Sequence, residues 1–266
     1  MGRKVGATVP AGLMGLCVAL SVAAARADRA QGPVVVAALE KEVITQHEPV
    51  ILVFELANPS AREADLDLGF GFKNVEVKLM DPAGRTWPKP PLSPPKENEA
   101  LVFMEGIRAA PRTTGDAYLL LDEWFSFEKV GRYHIEVAVS PSSASASRGL
   151  RLPHSVLSLS VLPRQESALR AACAALAVRV RESKSHERAE IAAKALAKVD
   201  DPAAVPYLAE ALSVKPFASI MISALARWNT PDAIDALTAA SHSSDPEISS
   251  LARATLAALT KDKPSR

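Results

Sequence analysis

The feature that most constrains this chain is a segment that recurs after 29 residues. ALAKVDDP at 195–202 is followed by ALARWNTP at 224–231, and the same offset relates Leu208 to Leu237. A further partial copy begins at Leu251. A fixed period of this size is typical of solenoids, in which each helical repeat buries its apolar face against the next. The sequence therefore predicts stacked pairs of helices in the C-terminal part.

Capping residues mark where these helices begin. Asp201, Thr230 and Asp245 each precede a proline, and a side-chain acceptor followed by proline is a typical helix start. Asn229 stands where a helix must end and tolerates the left-handed conformation needed there. The predicted helices are 164–181, 186–199, 202–213, 216–228, 231–242 and 246–260, which form three pairs.

The repeat also resembles a known family. Residues 192–208, AAKALAKVDDPAAVPYL, follow the consensus of the bacterial HEAT-like repeats of the phycobilisome-lyase type, and the resemblance covers about 181–259. Ala197 and Asp200 replace two consensus glycines, and Trp228 replaces an apolar residue. The resemblance implies a short α-solenoid that serves as an interaction scaffold. No residue marks a pigment site.

The N-terminal half has a different period. Apolar and polar residues alternate along several short segments, which is typical of strands with one buried face. The predicted strands are 34–39, 52–56, 75–79, 101–107, 118–124, 133–139 and 157–161, and about seven such strands predict a β-sandwich. KVGRYHIEVAV, FELANPS and LMDPAGR resemble strands and turns of bacterial immunoglobulin-like domains. The predicted fold class is thus multidomain β plus α: an immunoglobulin-like β-sandwich at 28–163, followed by a short HEAT-like α-solenoid of three helix pairs at 164–262.

The first 27 residues indicate export. A basic start, an apolar run at 12–25 and the motif ARA at 25–27 are typical of a secretory signal peptide. We expect cleavage before Asp28, a periplasmic or secreted protein, and no integral membrane segment afterwards; the alternative is an uncleaved anchor. Cleavage removes three positive charges and no negative ones, so the net charge changes from +1 to −2. Because nucleic-acid-binding domains carry a basic patch, no nucleic-acid partner is expected.

Motifs for catalysis or metal binding are incomplete. His186 opens a possible zinc-protease motif, but Glu190 occupies the position of its second histidine. Ser93 and Lys96 have the spacing of a serine–lysine pair, yet two prolines between them disfavour the helical turn this chemistry needs. Cys173 lies on the apolar face of a predicted helix and is interpreted as a buried residue. We expect no cofactor and no metal.

These observations favour a non-enzymatic, extracytoplasmic binding or scaffold protein with a protein or peptide partner. The family resemblance implies that the second helix of each pair lines the inner face of the curved solenoid. Aligned by the repeat offset, these helices present three rows of predicted protein-binding residues: Glu190 with Ser219, Lys194 with Ser223, and Lys198 with Arg227. The same rows continue at Ser250, Ala254 and Ala258.

Other hypotheses stay open. The row of side chains could be a solvated face without a partner. An accessory or inhibitory protein could instead bind through the sandwich loops, namely the proline-rich segment 87–99 and the serine- and alanine-rich segment 140–149. An enzyme with its site at the domain junction is a further alternative.

Overall fold

The computed structural model describes residues 32–91, 106–140 and 150–261, which contain ten β-strands followed by six α-helices. The change from strands to helices falls between Leu162 and Glu166. The predicted signal peptide at 1–27 lies outside the described residues, as do 92–99 and 141–149, which make up most of the two predicted loops.

The strands form three sheets. In chain order they are β1 (Val34–Leu39), β2 (Val43–Thr45), β3 (Ile51–Asn58), β4 (Ala64–Asp67), β5 (Val75–Met80), β6 (Thr86–Pro88), β7 (Gly106–Ala109), β8 (Thr113–Leu120), β9 (Gly131–Val139) and β10 (His154–Leu162). The sheet orders are β1-β3-β8, β2-β10-β9-β5-β6 and β4-β7. The β2–β10 pair is parallel and the other pairs are antiparallel.

The predicted alternation is present in these strands. In β9, Tyr133, Ile135 and Val137 are buried, whereas His134 and Glu136 between them are half-buried. Most of the buried apolar residues of the sheets belong to one hydrophobic cluster. Burial of such side chains, at about 25 cal/mol per Å² of apolar surface, holds the sheets together.

One predicted strand differs from the structure. The strand expected over 118–124 is β8, which ends at Leu120, and residues Leu121–Glu123 form a 3₁₀ turn instead. The backbone N–H of Trp124 donates to the carbonyl of Leu121 and closes this turn. Of the strand expected at 101–107, residues 106 and 107 lie in β7 and residues 101–105 are outside the described part.

The six helices are α1 (Glu166–Glu182), α2 (His186–Lys198), α3 (Val205–Ala211), α4 (Ala218–Trp228), α5 (Pro231–Ser241) and α6 (Pro246–Lys261). Each of α1, α3 and α5 packs against the helix that follows it. Helices α2, α4 and α6 are neighbours in one layer, and α1, α3 and α5 are neighbours in the other. The helix predicted over 202–213 is shorter, because Pro202–Ala204 forms a 3₁₀ turn before α3.

Side-chain caps are present at the helix starts that the sequence predicted. Asp201, Thr230 and Asp245 each accept a hydrogen bond from a backbone N–H two or three residues later, at 2.9, 3.4 and 2.9 Å. Asn229 has a φ of 44° and ends α4 in the left-handed conformation. Each N-terminal side-chain cap contributes about 1 kcal/mol to stability.

Small side chains allow the helices to approach closely. In α2, Ala189, Ala192, Ala193 and Ala195 are all buried, and Leu196 fills the space among them. Within the described residues, no helix combines the length and the apolar character needed to cross a membrane.

Candidate protein-interaction groove

A hydrogen bond joins the ends of α2 and α4. The guanidinium of Arg227, in the last turn of α4, donates to the carbonyl oxygen of Ala197 near the end of α2. The last four carbonyls of a helix have no partner within it, so this contact satisfies one of them. It also keeps the repeat partners Lys198 and Arg227 at the same end of the two helices.

A groove of about 430 Å³ runs between α2 and α4. It is lined by Lys194, Ala197 and Lys198 of α2, by Ser219, Ile220, Ser223, Ala224 and Arg227 of α4, and by Glu123 of the 3₁₀ turn after β8. Five of the six residues predicted to bind a partner therefore line one groove. Glu190 is absent from the lining, and its carboxylate instead forms an ion pair with Lys194 one turn further along, at 2.8 Å.

The chemical character of the groove is mixed. Ala197, Ile220 and Ala224 are apolar and partly or fully buried, whereas Lys198, Ser219 and Ser223 are exposed. The continuation of the rows on α6, at Ser250, Ala254 and Ala258, is also exposed but contributes nothing to the lining. An apolar floor with polar rims is the usual composition of a ligand groove.

The β region packs directly on α2 and so holds Glu123 in place. The guanidinium of Arg188 pairs with Asp116 of β8 and lies 5.7 Å from the ring centroid of Tyr118. Ile51 and Leu120, from β3 and β8, belong to the hydrophobic cluster of the helices. Because strand residues complete the helical core, the 3₁₀ turn has a defined position beside the groove.

A second set of contacts fixes the connection between strands and helices. The hydroxyl of Thr45 donates to the carbonyl of Pro163 at 3.0 Å and accepts from the N–H of Gln165 at 2.8 Å. The guanidinium of Arg164 donates to both carboxylate oxygens of Asp201, at 2.5 and 3.2 Å. The hydrogen bonds from Arg164 lower the pKa of Asp201, whose side chain is almost fully buried. The residue that caps the turn before α3, Asp201, is therefore bonded to Arg164, just before the start of α1.

Asp122 lies next to Glu123 and has an unusual environment. Its Oδ2 accepts a hydrogen bond from the backbone N–H of Val50 at 2.6 Å. Burial raises the pKa of Asp122 from its ordinary value of 3.8 to about 7, and the charge of Lys198 opposes that rise. The carboxyl group beside Lys198 therefore changes its charge near neutral pH.

Sequence reasoning did not find Asp122 and Glu123 as site residues. Both fall in the segment predicted to continue β8. No local pattern could have revealed them, because their relation to Lys198 depends on how β8 docks on α2.

Other candidate sites are smaller or closed. A cavity of about 50 Å³ lies between the β2 region and α1, and its charged groups are paired, Lys41 with Glu48 and Arg179 with Glu40.

Cys173 is fully buried, as predicted, and burial raises the pKa of its thiol to about 12. Among the residues that the structure describes, His, Cys, Asp and Glu side chains form no group of three or more that could hold a metal ion.

Taken together, the chain is a β-sheet region followed by a short helical region with repeat character. The sequence profile of the PBS lyase HEAT-like repeat matches residues 189–213. This range begins in α2, crosses the Asp201 cap and ends after α3, and the match confirms the predicted HEAT-like repeat there. A comparison with curated proteins finds no match.

Some solved structures show weak similarity. A β-glucosidase from Listeria innocua in complex with isofagomine is 12% identical at a TM-score of 0.28, with 50% of this chain and 16% of that chain covered. The sporulation control protein Spo0M from Bacillus subtilis is 8% identical at a TM-score of 0.29, with 57% and 56% covered. The GH3 β-glucosidase from Bifidobacterium adolescentis is 15% identical at a TM-score of 0.24, with 53% and 20% covered. Similarities at TM-scores this low carry no functional meaning for this chain.

Proposed function

We propose that this chain is a non-enzymatic, extracytoplasmic binding protein whose HEAT-like helices hold a protein or peptide partner in the groove between α2 and α4. In this proposal the sheets form an immunoglobulin-like sandwich that supports the helical region and contributes the rim at Glu123. Residues 1–27 act as the export signal.

One observation carries the proposal. Five residues predicted from the repeat offset and the family resemblance line a single groove. Ala197, Ile220 and Ala224 form an apolar floor between the two polar rows, and this composition is typical of a ligand groove. HEAT-like and related solenoids use such extended surfaces for protein interaction.

The junction between the two regions supports a rigid binding unit. The charged groups found there, such as Arg188 with Asp116 and Arg179 with Glu40, neutralise each other in pairs. Binding surfaces presented on rigid elements lose less conformational entropy when they bind. Since Ile51 and Leu120 complete the helical core, a test must use the whole chain, because separate halves would each expose apolar surface.

The test is site-directed photo-crosslinking in the envelope fraction of the native cell. A photoreactive phenylalanine analogue replaces Glu123 on the rim of the groove, and in a control it replaces Val156, which is 67% exposed on β10. We expect a discrete adduct from position 123 and none from position 156. The adduct should disappear in Lys194→Glu/Arg227→Glu and persist in the matched charge reversal Arg132→Glu/Lys184→Glu, whose two positions are exposed outside the groove.

Because Arg227→Glu also removes the hydrogen bond to Ala197, the melting temperature of each variant is measured alongside. A second block of the groove, Ser223→Tyr, adds bulk without charge and serves as a check. A partner that still binds folded Ser223→Tyr and the folded double variant would place recognition on the β region instead.

A further inference from the structure

The cations of the groove are concentrated at one end. Lys194 and Lys198 are four residues apart on α2, which places them on the same face about 6 Å apart along the helix axis. Arg227 faces them from α4 and reaches the carbonyl of Ala197, which adjoins Lys198. Three cations therefore lie in the two rows nearest the C-terminal ends of α2 and α4.

The carboxylates near these cations cancel their charge only in part. Glu123 is the one acidic residue in the lining, against Lys194, Lys198 and Arg227. Glu190 pairs with Lys194 from one turn away. Burial raises the pKa of Asp122, near Lys198, so this carboxyl group is less fully charged at neutral pH than an exposed aspartate. The lining retains an excess of positive charge.

Helix capping explains part of this arrangement but not all of it. Cations near the C-terminal end of a helix stabilise it through the helix dipole, and Arg227 makes such a contact with α2. A guanidinium has five N–H donors, so one bond to a carbonyl leaves donors available to a ligand. Lys198, in the last turn of α2, is exposed and lines the groove.

The spacing of the two lysines matches an extended peptide. In an extended chain, side chains on one face repeat every second residue, about 6.6 Å apart. Lys194 and Lys198 are about 6 Å apart along their helix, so two carboxylates at positions i and i+2 of a ligand could each meet one ammonium. The opposite wall offers the hydroxyls of Ser219 and Ser223 to backbone groups, and Ile220 and Ala224 offer the floor to the intervening side chains.

We propose that the groove recognises an acidic segment in extended conformation, with carboxylate side chains two residues apart. The inference rests on the proposed function, because it names the chemistry of the partner that the groove holds. Lys194 and Lys198 meet the two carboxylates, and Arg227 adds a hydrogen bond to the carboxylate nearest Lys198.

The first test is a selection from a library of random dodecapeptides on the whole folded chain. Counter-selection on Ser223→Tyr, in which the groove is blocked, removes peptides that bind elsewhere. We expect the remaining peptides to be rich in Asp-x-Asp, Glu-x-Glu and their mixtures. Groove-dependent peptides without acidic residues would overturn this inference while leaving the proposed function intact. A selection that yields no groove-dependent peptide would contradict the proposed function itself.

The second test measures affinity with a selected fluorescent peptide and defined changes in it. Replacing either acidic residue by its amide should weaken binding about 5- to 10-fold, as expected for the loss of about 1 kcal/mol from one charge pair. Moving one carboxylate from i+2 to i+3 should weaken binding to a similar extent. Equal binding of the amide peptide would show that charge does not decide recognition.

Protein variants complete the second test. Lys198→Arg should retain binding, whereas Lys198→Gln should lose about 5- to 10-fold. The affinity should also fall as salt is raised, because exposed charges are screened. If Lys198→Gln binds as tightly as the parent while the melting temperatures agree, the assignment of this lysine to a ligand carboxylate is wrong.

Discussion

The replacement of Asp122 by asparagine tests whether burial of this carboxyl group raises its pKa and lowers the stability of the protein. The asparagine keeps a side-chain oxygen that can accept the N–H of Val50, which the aspartate now accepts at 2.6 Å. It removes the negative charge that burial disfavours. The variant therefore separates the hydrogen bond, which is retained, from the cost of the charge, which disappears.

The sign of the effect follows from the direction of the shift. Burial raises the pKa of Asp122 from 3.8 to about 7 in the folded protein. Between these values the folded state holds a proton that the unfolded state has lost, so stability decreases as the pH rises. The unfavourable contribution is absent below about pH 4, grows toward pH 7 and is complete above it.

The expected magnitude is about 2 kcal/mol. A pKa difference of this size corresponds to about 4 kcal/mol at 1.36 kcal/mol per tenfold change, and we reduce it because the side chain is partly exposed and therefore screened. Two kcal/mol is a large part of the stability of a typical domain. Asp122→Asn should thus be more stable than the parent by about 2 kcal/mol at pH 8 and by about 0.5 kcal/mol at pH 4.5.

The assay is urea unfolding of both proteins at several pH values from 4.5 to 8. Groups that titrate elsewhere affect both proteins equally and disappear from the difference. Glu123→Gln, which removes the adjacent exposed carboxylate, is the matched control and should change stability little. A stability difference for Asp122→Asn that stays constant across this pH range would refute the argument that Asp122 is held protonated by burial.

Three further predictions concern packing and the junction. Gly115→Ala should destabilise the protein by about 1–3 kcal/mol in urea unfolding, because a Cβ there would lie 2.4 Å from the carbonyl oxygen of Arg108. An unchanged urea midpoint would show that β7 and β8 can move apart without a cost in stability. Asp201→Ala should lower the free energy of unfolding by about 2–3 kcal/mol, since it removes a helix cap and the partner of Arg164. Asp201→Asn should lower it less, because asparagine keeps the cap. Equal losses for the two variants would mean that the cap contributes nothing. In a Cys17→Ser variant, the thiol of Cys173 should react with Ellman's reagent only after unfolding in urea, because it is fully buried and its pKa is raised to about 12. Fast labelling of this native variant would contradict its burial.

The sequence by itself determined the local structure of this protein. Period-two alternation identified β9, and the capping side chains of Thr230 and Asp245 identified the starts of α5 and α6. The left-handed turn at Asn229 was also predictable. These features depend on residues within a few positions of one another, so a single segment contains the information for each. The 29-residue offset also relates residues that are far apart in the sequence, because stacked repeats bring equivalent positions together. From this offset, Lys198 and Arg227 were expected to lie side by side, and both line one groove.

Only the tertiary structure decided what lies beside that groove. The N–H of Val50 meets the carboxylate of Asp122 across 72 positions, and Arg188 meets Asp116 across the same separation. Burial at this docked surface raises the pKa of Asp122, and the charge of Lys198 opposes that rise. Neither influence is visible in the segment that contains Asp122, which has the pattern of a strand end. Long-range packing fixes solvent exposure and charge proximity, and these two quantities set the chemistry of the site.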